Sequence, residues 1–158
     1  MDWGGWAVFG LLGTAGLTVV LMAAQLSGRT RMDLPLMLGT LVSEDPDRAR
    51  VFGFLIHLAN GEVFALFYAA TFALLGEANV ALGAGLGVLH AAVALMVLVP
   101  LLPGVHPRMA SNRSGPSSSA PRLEPPGLLG RNYGRSTVIV TVIAHVAYGA
   151  VLGLLLKP

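Results

Sequence analysis

Five side chains with chemical capacity sit inside runs of residues otherwise fit for lipid: His57, Asn60, Glu62, His90 and His145. Imidazoles on facing helices can ligate haem iron or a transition metal through a neutral ring nitrogen, and His57 with His145 would be that pair. Glu62, His90 and His145 in sequence could instead relay a proton or ion between the two faces, since ionisable groups at membrane depth are functional candidates by default. The third reading is structural: all five serve as interhelical hydrogen-bond partners worth about 0.6 kcal/mol each. No HxxxH or ExxH pair lies on one helix, so a metal would depend on tertiary arrangement. The chain has no cysteine, which removes thiolate metal sites, disulfides and cysteine nucleophiles.

The elements that position these groups follow from hydropathy. Of 158 residues, 54% are hydrophobic and 11% charged, and the charges fall between long apolar stretches. Four stretches have the roughly 20 apolar residues that cross a bilayer: 3–27, 51–75, 79–102 and 136–156. The expected fold is an all-α polytopic membrane protein, a single four-helix domain. Helical rise places His57 roughly 9 Å, His145 about 14 Å, Glu62 about 17 Å and His90 about 18 Å from the inner helix ends. On α-helical phasing, Glu62 points about 140° away from His57, and it is expected to bond His90, Thr14 or Thr18.

The stretch HLANGEVFALFY, from His57, is echoed by AHVAYGAVLGLL, in which His145 aligns with His57 and Gly149 with Gly61. With two spans per half, both copies would run in one direction, as a two-fold parallel repeat about the membrane normal. Small residues at Gly13, Gly61, Gly83, Gly87, Gly149 and Gly153 suit close helix approach. Pro100 and Pro103 are expected to close the third span.

Between the first two spans, 32–42 is too short to cross and too apolar for a solvated linker. It is expected to lie in the interface or as a re-entrant turn, with 124–134 as its counterpart. The segment 106–123, rich in Pro and Ser, reads as a flexible loop, with His106 a solvated interfacial residue. Ser43-Glu44-Asp45-Pro46 is a helix-start signal.

Nine of the ten basic residues lie in two loops: Arg29, Arg31, Arg48 and Arg50, then Arg108, Arg113, Arg122, Arg131 and Arg135. The positive-inside rule puts both loops in the cytoplasm and both termini outside, in the inner (plasma) membrane. Their basicity is a topology signal, so no nucleic-acid partner is expected; the partners expected are the lipid bilayer and other membrane subunits or a second copy.

The segments AGLTVVLM, MDLPLMLGTL, FLIHLANGEVFALFYA, GAGLGVLHAAVALMVLVPLLPG and AHVAYGAVLGLL together resemble a bacterial four-helix integral membrane family known as a domain of unknown function. The resemblance implies the same fold and topology and brings no catalytic residue with it. No nucleophile elbow or phosphate-binding loop is present, so enzymatic chemistry is not expected. The leading expectation is a non-enzymatic packing or accessory component of a membrane assembly. The alternative is a histidine-centred intramembrane site that binds haem or metal or conducts protons or ions.

Overall fold

A computed structural model describes residues 2–110 and 123–158. Arg113, Arg122 and most of the expected flexible loop fall outside the described residues. Among the described residues, four long helices are apolar enough to span a membrane: α1 (Trp3–Leu26), α3 (Pro46–Leu75), α4 (Val80–Val105) and α5 (Ser136–Leu155). A six-residue helix, α2 (Leu34–Gly39), precedes α3, and a kinked 3-10 segment (Leu128–Tyr133) precedes α5. Helices suit this chain because lipid offers the backbone no hydrogen-bond partners, so each span must satisfy its own.

Helix starts are set by short polar side chains that accept from the first free N–H groups. Asp2 caps Gly5 (2.8 Å), Asp33 caps Leu36 (2.9 Å), Asp45 caps Arg48 (2.8 Å) and Asn79 caps Leu82 (2.9 Å). Asp45 and Pro46 start α3 five residues before the apolar run begins, so its first turn stands clear of the span. α3 ends at Gly76, whose φ of 66° is the left-handed cap that glycine adopts without strain.

The prolines do not close α4. A π-turn at Ala94–Leu98 precedes Pro100, and the helix continues through Pro103 to Val105. Proline removes a backbone donor, and the extra residue of the π-turn re-phases the hydrogen bonds so that the helix continues.

The four spans do not form an even bundle. α4 packs most closely on α5, α5 on α1, and α1 on α3, whereas α3 and α4 make few contacts although a short turn joins them. Glycine decides this. A Cβ on Gly83 would strike the Gly149 carbonyl, one on Gly87 the His145 carbonyl, and one on Gly153 the Asn79 carbonyl, so α4 and α5 touch backbone to backbone. Gly61 admits the Thr14 side chain of α1, and a Cβ on Gly13 would lie 3.1 Å from the Tyr148 ring. The result is a cleft between α3 and α4.

The end of the bundle that carries the arginine loops also carries a cap. α2 lies on α3 with Gly39 against Ala49 and Gly53 against Pro35, again at distances only glycine allows. The 3-10 segment ties to the loop after α1: Arg31 N–H donates to the Tyr133 carbonyl (2.7 Å), and the Thr30 and Thr137 hydroxyls are hydrogen-bonded to each other at 2.7 Å.

His106 is not solvated. It is 5% exposed, donates from Nε2 to the Met37 carbonyl (2.9 Å), and accepts the Arg108 N–H at Nδ1 (3.0 Å). Arg108 also donates to the Thr40 carbonyl and to Glu44, so the end of α4 is fastened to α2.

Candidate functional site: a histidine-lined intramembrane cavity

A cavity of about 590 Å³ runs from the middle of the bundle to the cap that α2 forms. Its walls are almost wholly apolar: Leu17 and Leu21 from α1, Met37 and Leu41 from the α2 region, and Leu95 and Leu102 from α4. At its deep end stand His57, His90 and His145, with Phe64, Thr141 and Tyr148. The volume is within the range of small-molecule sites, which are apolar with a few placed polar groups.

Each imidazole is held at Nδ1. His145 contacts the Thr141 carbonyl at 2.8 Å, and since a carbonyl only accepts, His145 carries its proton on Nδ1. The Thr18 hydroxyl donates to the Thr14 carbonyl (2.7 Å), so its one proton is already committed. The 2.8 Å contact between Thr18 Oγ1 and His57 Nδ1 is therefore donated by the imidazole. In both rings Nε2 keeps its lone pair and has no hydrogen-bond partner among the described residues. His90 is held differently: Nδ1 lies 3.4 Å from the Tyr68 hydroxyl, and its ring stacks on Phe64 at 3.8 Å between centroids.

The close imidazole pair is His90 with His145, centroids 4.6 Å apart and edge to face, rather than the His57 and His145 pair that the repeat suggests. His57 reaches the same cavity from α3. Asn60 lines its edge and is largely exposed.

Glu62 does not join the site, and it bonds none of His90, Thr14 or Thr18. Its side chain turns toward Gly10 of α1, where Oε1 is buried without a partner. Phasing explains the outcome: the 140° offset that separates Glu62 from His57 carries it to the far flank of the α1–α3 contact. Its backbone carbonyl accepts the Trp6 indole N–H at 2.9 Å.

Among the described residues no three of His, Asp and Glu converge closely enough to hold a metal ion. A haem iron needs only one or two axial ligands, and the Nε2 lone pairs of His57 and His145 are of the right chemistry.

Phe64 and Tyr68 were visible in the sequence only as apolar neighbours on the stripe of His57. In the fold they pack on His90, a contact between helices that no spacing within α3 reveals. Tyr148 donates to the Gly61 carbonyl at 3.0 Å and seats α5 against α3.

Comparison with protein-family models, curated proteins and solved structures returns no match.

Proposed function

We propose that the protein is a non-enzymatic integral membrane binding protein whose cavity takes up a lipid-soluble small molecule, with the polar part of that molecule against the imidazoles. One observation carries the reading: His57 and His145 are each oriented through Nδ1 and leave Nε2 unpartnered at the end of an apolar space of about 590 Å³. A chain acting by packing alone has reason to fill such a space, because protein interiors are close-packed and voids forfeit contacts. Orienting a histidine through one nitrogen to present the other is also how proteins prepare a ligand to bind.

In this reading the bilayer is the source of the ligand and the cytoplasmic cap closes the inner end. The arginine loops lie in the cytoplasm and both termini outside, in the plasma membrane, as the charge bias favours. The two halves, each a span, a short interfacial element and a span, are a parallel repeat in which His57 and His145 hold equivalent places.

The test is to purify the protein in mild detergent, extract it with organic solvent, and record mass and absorption spectra of wild type and His145→Gln. The expected result is one lipid-soluble compound near one per chain, depleted in the variant. A Soret band lost in the variant would move the assignment to haem. Bulk phospholipid alone, unchanged by the substitution, would return the protein to a packing role.

A further inference from the structure

A second hollow of about 350 Å³ opens on the cleft between α3 and α4, lined by Phe67, Thr71, Leu86, Leu89 and Val93. It shares Phe64 and His90 with the deep cavity, and these two rings are the ones that stack on each other. The partition between a lipid-facing hollow and the histidine-lined interior is thus one stacked pair, one ring from each helix. The helices that bear them hardly touch.

The deep wall also says what kind of head group it takes. It contains no Lys or Arg, so a carboxylate or phosphate there would be a buried charge without a partner. His57 and His145 offer lone pairs, so the head must donate. Beside them the Thr141 hydroxyl is buried without a partner, on a residue 4% exposed, and His145 itself is 6% exposed. Phe64, His90 and Tyr148 supply ring faces and edges on which an aromatic head stacks. The remaining length, out to Met37 and Leu102, is a slot for an apolar tail.

Resting on the binding function proposed above, we propose that the ligand is a neutral aromatic hydroxyl compound with an apolar tail, a phenol or hydroquinone. It reaches the cavity sideways from the bilayer through the α3–α4 cleft as Phe64 moves off His90.

The probes are a long-chain alkyl hydroquinone and its dimethyl ether, which keeps the shape and loses both donors. In detergent micelles the hydroquinone raises the melting temperature of the full chain, and the ether binds more weakly by about tenfold for each buried hydrogen bond lost. His57→Leu and His145→Leu, which leave no side-chain acceptor, each shrink that difference and together abolish it; variants that still show it in full would overturn the binding role of the histidines.

For the route, the natural absence of cysteine allows Phe67→Cys with Leu89→Cys to be bridged by a bifunctional thiol reagent in neutral phosphatidylcholine vesicles. Bridging before the probe is added slows uptake at least tenfold, and bridging afterwards traps it. Equal uptake by bridged and unbridged protein sinks the lateral route and leaves the cavity intact. Equal binding of ether and hydroquinone overturns the hydroxyl assignment, while a different compound in the organic extract still upholds the cavity as a binding site.

Discussion

The His90 and His145 rings meet edge to face with centroids 4.6 Å apart, one from α4 and one from α5, at the deep end of a cavity. Their helices hold that distance because Gly83 and Gly87 lie directly on the backbone of α5, so the imidazole geometry depends on residues that carry no side chain.

Gly83→Ala should therefore disturb the site without touching it. Its Cβ would overlap the Gly149 carbonyl, and separating the helices costs roughly 1–3 kcal/mol. Gly85→Ala on the same helix meets nothing within 4 Å and serves as the control. Unfolding in mixed micelles should show a loss for the first and little change for the second; equal effects would mean the glycine contact is not what joins α4 to α5.

Thr18 acts on His57 as a positioning residue. In the wild type, ¹⁵N NMR should find His57 protonated at Nδ1, held by Thr18 Oγ1 at 2.8 Å. Thr18→Val removes the acceptor, and the two tautomers should then mix, with weaker ligand binding but an intact fold. An unchanged tautomer in the variant would show that Thr18 does not set it.

Glu62 gives the opposite expectation. Its Oε1 is buried without a partner, and an unsatisfied buried polar atom costs about 1–3 kcal/mol. Glu62→Met should stabilise the protein by up to about that amount and leave ligand binding unchanged. Loss of binding in this variant would place Glu62 in the site after all.

Acid should loosen the α2 cap before the spans. Burial and then the nearby Arg108 guanidinium hold the His106 pKa below its ordinary value of 6.5, against a raising effect of its bond to the Met37 carbonyl. The folded state therefore prefers neutral His106. Below pH 6.5 the unfolded chain binds a proton that the folded chain resists, so this contribution is full above 6.5 and declines as pH falls toward the lowered value. Protonation at Nδ1 would also break its bond from Arg108 N–H. Hydrogen exchange of α2 should rise between pH 6.5 and 5 in the wild type, and less so in His106→Gln.

At the same end, Tyr133 remains a donor across the whole neutral range. Burial, with Glu124 beside it, pushes its phenol up to about 12, and it donates to the Glu124 carbonyl at 2.5 Å.

The sequence by itself determined that four apolar helices form, that Asp45 and Pro46 start the second of them, and that histidines lie within the apolar runs. Hydropathy and capping act over a few neighbouring residues, so the local sequence carries them. That Gly83, Gly87, Gly149 and Gly153 suit close helix approach was legible too, because small residues at helical spacing have one main use in lipid, but not which of them would meet. Only the tertiary structure decided which helices touch. Consecutive α3 and α4 splay apart because backbone contact through glycine draws α4 onto α5, and that choice opens the cleft, stacks Phe64 on His90 and leaves the cavity. It also decided that His106 is buried and that Glu62 stands alone, since a side chain's partners depend on the neighbouring helix and not on its own depth or phase.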